Sequence, residues 1–240
     1  MRSVTHRVEQ FGDCRLILGD CLDPQVVELI GKVDGWVGDP PYAFNNSGGG
    51  KFRKARKASD AIVRHGLDKG FDLAALDLGA PRSLTVFCHN DQLVVMLPEL
   101  ARRFARHAVL TWRKTNASPF ANKHYRADTE FYVHAWNPGD HPVGPYQDKS
   151  RVWDGGRGGQ DGGKGFDHPT VKPLKLMRRI VRNMSAARIL DPFMGTGTTG
   201  EACLIEGRSF VGVEKDPAFF DMACLRMERA LRDQLSRAAA

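Results

Sequence analysis

The sequence predicts an α/β fold with a mostly parallel sheet that is covered by helices on both faces. Seven short apolar segments typical of strands alternate with segments whose apolar residues recur at helical spacing, which favours parallel strands joined by helical crossovers. Turns rich in proline or glycine follow two strands directly, where ligands bind in such sheets. A chain of 240 residues can bury this sheet as one unit, so we predict a single domain over residues 1–240.

Each predicted strand is a short apolar run that ends at turn-forming residues. In chain order the runs are 14–18, 33–38, 84–88, 109–112, 130–136, 188–190 and 209–214. Five helices are predicted, of which the first ends at residue 30 and the second begins at Asp91 and bends at Pro98. The third follows Thr170 as its N-cap and has Pro173 in its first turn. The fourth ends at residue 204, and the last begins at Pro217. The last helix carries an apolar stripe that we interpret as core packing: Phe220, Ala223, Cys224, Met227 and Leu231.

Two segments lack the periodicity of a packed element. Residues 43–70 contain a cationic run and follow a proline turn, and residues 137–167 are rich in glycine, aspartate and proline. The cationic run is Lys51, Arg53, Lys54, Arg56 and Lys57. One interpretation is a solvated loop; the other, which the position of the run favours, is a mobile basic loop near the active site that meets phosphates. The net charge of +7 agrees with a polyanionic partner.

Composition argues against several other classes of protein. No apolar run approaches the length of a membrane span, and the first residues lack the apolar core of a signal peptide, so we predict a cytoplasmic location. Five cysteines are scattered without a Cys-x-x-Cys pair, so we predict buried thiols and no metal site.

The strand over 33–38 leads directly into Asp39-Pro40-Pro41-Tyr42. The two prolines fix φ and remove backbone donors, so the turn offers free carbonyls, a carboxylate and an aromatic ring. Acceptors and a ring face suit a planar base that carries an exocyclic amine. A purely structural turn is the alternative for this motif taken alone.

The strand over 188–190 leads into a turn with Asp191, Gly195 and Gly197, and Glu214 ends the next strand. Glycines after a parallel strand let a ligand approach the backbone, and an acid at the next strand end can accept the hydroxyl hydrogens of a ribose. The third glycine of a dinucleotide site is missing, and Asp191 would repel phosphate but pair with an ammonium group. The pattern therefore favours S-adenosylmethionine (SAM), with Lys172 as candidate partner for its carboxylate.

Three motifs in this order resemble the amino-methylating DNA methyltransferases of the N6-adenine/N4-cytosine group. They are Asp39-Pro40-Pro41-Tyr42, His168-Pro169-Thr170-Val171-Lys172-Pro173, and Asp191-Pro192-Phe193-Met194-Gly195-Thr196-Gly197-Thr198-Thr199. A catalytic turn before the cofactor turn is similar to the circularly permuted β class. The resemblance implies a Rossmann-like SAM-dependent methyltransferase fold with a seven-stranded sheet. The strands around Trp36 and Leu190 would then be neighbours, as would the strands that end at Leu18 and Glu214.

The resemblance also implies roles for individual residues. Asp20 would contact the adenine amine of SAM, Glu214 its ribose and Asp191 its methionine part. The full implied cofactor set is Asp20, Cys21, Asp39, Thr170, Lys172, Asp191, Phe193, Gly195, Thr196, Gly197, Thr198, Thr199, Glu214 and Lys215. Asp39, Pro40, Pro41 and Tyr42 would form the catalytic set. Asp39 and the Pro40 carbonyl would accept the N–H bonds of a flipped base while Tyr42 stacks on it.

Adenine N6 is the expected target, because the resemblance links Asp at position 39 to adenine and Ser to cytosine; cytosine N4 remains the alternative. Residues 137–167 would recognise the target sequence, alone or shared with a second subunit, so a homodimer is an option. Candidate phosphate contacts on double-stranded DNA are Arg113, Lys114, Lys123 and Arg126. Other readings are an RNA or protein-amide methyltransferase, an inactive SAM-binding DNA-recognition module and, remotely, a nicotinamide oxidoreductase.

Overall fold

A single mixed sheet forms the centre of the protein. The structure is a computed structural model and describes residues 6–42, 70–117, 125–156 and 171–238. Its strands are β1 (Val8–Phe11), β2 (Cys14–Leu18), β3 (Gly35–Gly38), β4 (Ser83–Cys88), β5 (Arg106–Lys114), β6 (Thr129–Trp136), β7 (Val152–Gly155), β8 (Arg188–Asp191) and β9 (Ser209–Glu214). Residues 43–69 of the predicted basic loop, with the whole cationic run, lie outside the described residues, as do Lys123, Thr170 and residues 157–167 of the predicted recognition segment.

The helices are α1 (Pro24–Ile30), α2 (Leu93–Arg103), α3 (Leu174–Asn183), α4 (Thr198–Ile205) and α5 (Pro217–Ala238). Short 3-10 helices cover Leu73–Asp77, Asn90–Gln92 and Tyr146–Lys149. α2 contains Pro98 within its span, and the bend at this residue stays a prediction. Pro173 takes the N-cap position of α3, one residue before the first turn in which we expected it. None of the helices in these ranges is both long and apolar enough to cross a membrane.

The strand order is β1-β2-β9-β8-β3-β4-β6-β5-β7. The run from β2 to β4 is parallel, whereas β6 is antiparallel to both β4 and β5. All seven predicted strands are present, and the prediction of seven is exceeded because β1 and β7 add one strand at each edge. Leu18 lies opposite Glu214, and Trp36 lies opposite Leu190. The neighbours expected for a permuted chain are therefore confirmed.

The sheet buries both of its faces, as predicted for parallel strands. Successive side chains point to opposite faces, so Trp36 and Val37 belong to different hydrophobic clusters. One cluster contains residues of α3, α4 and α5, and the other contains residues of α1, α2 and the Leu73–Asp77 turn. The stripe predicted on the last helix is confirmed, since Phe220, Ala223, Cys224 and Met227 are buried and Leu231 packs against them.

Residues 137–156 are more integrated than their composition suggested. β7 pairs in parallel with β5 at the sheet edge, and the Asp148 carboxylate accepts a hydrogen bond from Arg182 of α3 at 2.7 Å. Arg179 of α3 is buried, and its guanidinium donates to the backbone carbonyl of Asp148 at 2.9 Å. Residues 137–156 of the predicted recognition segment are thus ordered by the sheet edge and by α3.

Candidate active site

The carboxyl ends of the parallel strands surround one cavity of about 640 Å³. Asp39 and Pro41, which follow β3, line the same cavity as the turn after β8. Parallel strands bring their carboxyl ends to one edge of the sheet, and the adjacency of β3 and β8 makes these two turns neighbours. The predicted catalytic turn and the predicted cofactor turn therefore face each other across one crevice.

The cofactor turn is held by short-range hydrogen bonds. One oxygen of Asp191 accepts from the backbone N–H of Phe193 at 3.0 Å, and the other accepts from the Thr199 hydroxyl at 2.5 Å. Burial raises the pKa of Asp191 to about 7, although these donors oppose the shift. A buried carboxylate with an elevated pKa favours a cationic ligand group beside it.

Glu214 links the two neighbouring strand ends. Its carboxylate accepts from the backbone N–H of Gly195 at 2.9 Å and from that of Asp216 at 2.8 Å. Burial raises the pKa of Glu214, and the backbone donors partly counteract this effect. Each oxygen keeps a further lone pair, so the group can still accept hydrogen bonds from ligand hydroxyls in the cavity.

The cavity brings together most of the residues predicted to bind the cofactor. These are Asp20, Cys21, Asp39, Lys172, Asp191, Phe193, Gly195, Thr196, Thr198, Thr199, Glu214 and Lys215. Gly197 is not among the lining residues. Its φ is +80°, and a Cβ there would lie 3.0 Å from the Ala223 Cβ. Gly197 therefore allows the turn to pack closely on α5, and this geometry argues against its predicted ligand contact.

Several lining residues were not predicted from the sequence, and Phe71 and Asp72 are among them. Phe71 and Asp72 follow the basic segment and border the cavity beside Phe193. The rings of Phe71 and Phe193 meet edge to face with centroids 5.5 Å apart. They give the cavity an apolar wall of the kind that accepts a planar ring. An aromatic residue directly before an apolar helical turn was the only sequence signal for this wall.

The catalytic turn presents one free acceptor. Asp39 Oδ1 is buried and has no hydrogen-bond partner among the described residues, whereas Oδ2 accepts from the Lys172 ammonium at 2.6 Å. Pro40 and Tyr42 belong to the turn but do not line the cavity. A buried acceptor without a partner is costly unless a ligand satisfies it. Asp39 is therefore prepared to accept a hydrogen bond.

Behind Asp39 lies a buried group of charges that we call the Lys172 cluster: Asp39, Tyr42, Lys114, Glu130 and Lys172. The Lys172 ammonium lies 2.6 Å from Glu130 Oε1, and Lys114 lies 2.9 Å from Glu130 Oε2. The Tyr42 hydroxyl donates to Glu130 Oε1 at 2.9 Å. Burial alone would raise the pKa of Glu130, but the two lysines hold it below its usual range, at about 2.

Glu130 was not predicted from the sequence, although a signal exists. It is the second residue of the apolar strand β6 and lies on the same face as Tyr132 and His134, both of which are buried. Side chains two residues apart on a strand point to the same face, so the alternation places Glu130 toward the interior. A buried acid needs a cationic partner, but the strand pattern does not identify which cation it is.

The predicted phosphate contacts separate into two kinds. Arg113 and Arg126 are more than half exposed, and they pair with Asp154 and Asp128, respectively. Lys114 is only 16% exposed and is bound to Glu130, which argues against its predicted contact with phosphate. Lys123 and the 51–57 run fall outside the described residues.

The sheet, the glycine turn and the facing acidic turn define a SAM-dependent methyltransferase. The chain belongs to the N6/N4 family of DNA methylases, whose model matches residues 33–224. The protein is thus a SAM-dependent DNA methyltransferase that acts on exocyclic amines, as its sequence predicted.

Relatives and solved structures agree with this assignment. The type II methyltransferase M2.MboI of Moraxella bovis is 29% identical over 235 residues, which cover 85% of this chain and 84% of that protein. M2.DpnII of Streptococcus pneumoniae, also a type II methyltransferase, is 27% identical over 86% of this chain and 84% of its own. The crystal structure of the M1.HpyAVI–SAM complex has the same fold, with a TM-score of 0.63 and 21% identity over 89% of this chain and 99% of that one.

The cavity fits SAM in size and in charge. Its volume of about 640 Å³ lies within the roughly 300–1,000 Å³ typical of small-molecule sites. Asp20, Asp191 and Glu214 present carboxylates that suit an amine, an ammonium and ribose hydroxyls but would repel a pyrophosphate. The Phe71 and Phe193 rings offer the apolar surface that an adenine requires.

Proposed function

We propose that this enzyme methylates the N6 amine of adenine in double-stranded DNA, on a base flipped out of the helix. The supporting observation is Asp39 Oδ1, a buried carboxylate oxygen with no partner among the described residues, on the wall of the SAM cavity. An amine that enters from the DNA side would supply the missing donor. Asp rather than Ser at this position supports adenine over cytosine through the family resemblance.

The residues of the turn perform two tasks in this mechanism. SAM, when bound, supplies an electrophilic methyl group. Asp39 Oδ1 and the Pro40 carbonyl accept hydrogen bonds from the two N–H groups of the amine. These hydrogen bonds free the nitrogen lone pair from conjugation with the ring and orient it. As the new N–C bond replaces the carbon–sulfur bond of the sulfonium, whose electron pair stays on the sulfur, the amine loses one proton to Asp39. Catalysis then consists mainly of orientation and exclusion of water.

Tyr42 is suited to hold the base because its ring is fixed at the hydroxyl end. The hydroxyl donates to Glu130 at 2.9 Å and accepts from Lys172 at 3.5 Å. Burial raises the pKa of Tyr42 well above its usual value, so the hydroxyl stays protonated. A ring held in this way can stack on an everted base without losing side-chain entropy at the moment of binding.

Several finer assignments belong to the same proposal. Residues 43–70, which contain the cationic run, would contact phosphates, and residues 137–167 would read the target sequence, alone or in a homodimer. Arg113 and Arg126 remain candidate phosphate contacts on exposed surface. The type II names of the relatives support a role in restriction–modification. Action on cellular DNA agrees with the predicted cytoplasmic location.

A direct test identifies the methylated nucleoside. The enzyme is incubated with methyl-labelled SAM and unmethylated double-stranded DNA, and the DNA is digested to nucleosides and analysed by mass spectrometry. We expect N6-methyl-2′-deoxyadenosine, absent from DNA treated with the Asp39→Ala variant, and sequencing of the product gives the target site.

The other outcomes discriminate the alternatives. N4-methylcytosine alone would contradict the adenine assignment while retaining the chemistry. Label in RNA or in a protein amide, with none in DNA, would contradict the DNA substrate. SAM binding without transfer to any of these acceptors would indicate a recognition module.

A further inference from the structure

We propose that Lys172 and Glu130 are positioning residues that act through Asp39: Lys172 fixes one carboxylate oxygen so that the other alone faces the target amine, and Glu130 holds Lys172 in place. The inference deepens the proposed function, since it specifies how the site prepares the acceptor of the base. It also gives Lys172 a role different from the contact with the SAM carboxylate expected from the sequence.

The geometry uses all the hydrogens of the Lys172 ammonium. Its three acceptors are Asp39 Oδ2 at 2.6 Å, Glu130 Oε1 at 2.6 Å and the Tyr42 hydroxyl at 3.5 Å. An ammonium has three N–H donors, so none remains for the carboxylate of a cofactor. The side chain is only 9% exposed, and its charge lies 4.8 Å from the Phe87 ring centroid. Phe87 and the two acids therefore confine the ammonium beside Asp39.

Charge balance explains why Glu130 belongs to this arrangement. A lone Lys172–Asp39 pair would already be neutral, and Glu130 adds a second buried anion that Lys114 neutralises at 2.9 Å. Two acids and two lysines therefore form a neutral set. Removal of one member leaves an uncompensated buried charge, which is expensive. Glu130 also holds the Tyr42 hydroxyl, so one side chain fixes both the cation and the stacking ring.

Lys172 and Glu130 affect Asp39 in opposite directions. Burial raises the pKa of Asp39; Lys172 opposes this rise, and Glu130 adds to it. The other groups that act electrostatically with Asp39 are Tyr42 in its own turn, Cys88 of β4 and Asp191 of β8. Burial raises the pKa of Cys88 to about 12, so its thiol stays neutral in the working range. The two substitutions should therefore shift the ionisation of Asp39 oppositely.

The test is the pH profile of methyl transfer in a single turnover, at saturating SAM and DNA. We expect Lys172→Met to move the acid limb of the rate to higher pH by about one unit or more, because an opposite charge at this distance is lost. We expect Glu130→Gln to move the same limb to lower pH, because a like charge is lost. Lys172→Arg retains the charge and should keep the limb near its wild-type position.

SAM affinity is measured on each variant by titration calorimetry without DNA, with Lys32→Met as the matched control. Lys32 is exposed and precedes β3, at the opposite edge of the sheet from the cavity. We expect affinity within about threefold of wild type for Lys172→Met, as for a residue that acts on the base side. If Lys172→Met fails to fold, Glu130→Gln and Lys172→Arg still test the direction of the shift.

The results separate this inference from the proposed function. If Lys172→Met lost tenfold or more in SAM affinity and the acid limb did not move in the variants, the inference would be overturned. Lys172 would then be assigned to the SAM carboxylate, as the sequence predicted. The inference would also be overturned if the acid limbs of Lys172→Met and Glu130→Gln moved in the same direction. A wild-type enzyme that modifies cytosine contradicts only the adenine assignment, because the profiles can be recorded on either base.

Discussion

The cofactor turn and the catalytic turn lie at the same edge of the sheet, yet they are held in different ways. Asp191 is bonded to groups two and eight residues away, and Glu214 to groups two and 19 residues away, with backbone N–H donors in three of the four bonds. Asp39 is bonded to Lys172, 133 residues away, and Tyr42 to Glu130, 88 residues away. Local backbone geometry builds one turn, and distant charges build the other.

This difference matches the role that we propose for each turn. Neutral donors leave Asp191 with a pKa raised to about 7 by burial, so its charge is stabilised further when a cationic ligand group arrives. Lys172 binds one oxygen of Asp39 and opposes the rise in pKa that burial causes, whereas the other oxygen has no partner among the described residues and can accept a hydrogen bond. The cofactor turn is thus suited to bind, and the catalytic turn is suited to react.

Asp39→Ala tests the contrast between the two turns most directly. We expect the rate of transfer to fall by about 10³-fold or more, because the acceptor of the amine hydrogen is lost, while the Kd for SAM stays within about threefold. Single-turnover rates and titration calorimetry measure the two quantities. Asp91→Ala, which alters an exposed aspartate after β4, serves as the control. Normal turnover in Asp39→Ala would contradict the mechanism.

Asp191→Asn should show the reverse pattern. We expect a SAM Kd higher by about 10–100-fold at pH 8, because a charged hydrogen-bond acceptor of the ligand is lost. In the wild type, affinity should fall as the pH drops through about 7, where Asp191 takes up a proton. Titrations from pH 5.5 to 8.5 check both effects, and Asn at this position should flatten the dependence.

The sign of the effect on stability is a second readout for Asp191. Its pKa in the folded state lies above that in the unfolded state, so the folded protein holds the proton more tightly. The contribution of this group to the free energy of unfolding therefore decreases as the pH rises from about 4 to about 7. Asp191→Asn should remove that decrease in SAM-free protein, and Asp13→Asn, at an exposed turn, should not.

The smallest expected effect concerns the backbone of the cofactor turn. Gly197→Ala and Gly207→Ala both place a side chain at positive φ, but only at Gly197 would the Cβ meet a neighbour, at 3.0 Å from the Ala223 Cβ. We expect Gly207→Ala to cost about 1 kcal/mol and Gly197→Ala about 2–3 kcal/mol of unfolding free energy. Urea denaturation measures both, and equal losses would contradict the packing role of Gly197.

Much of the fold was predictable because local patterns carry it. Each predicted strand was an apolar run beside a turn, and the adjacency of the strands around Trp36 and Leu190 followed from the motif order. The edge strands β1 and β7 were missed because each has only four residues with alternating exposure, which resembles a loop in the sequence. These two segments become strands because their backbones pair with those of β2 and β5, which a pattern within four residues does not reveal.

The sequence alone predicted the cofactor side of this protein, since Asp191 and Glu214 each accept a hydrogen bond from a backbone N–H two residues further along the chain and the permitted chemistry can be read from their residue types. Only the tertiary structure decided that Lys172 pairs with Asp39, and that Glu130 and Lys114 join the same cluster of charges. The reason is physical: a backbone hydrogen bond within a turn is specified by spacing, whereas a buried ion pair depends on which strands become neighbours in the sheet.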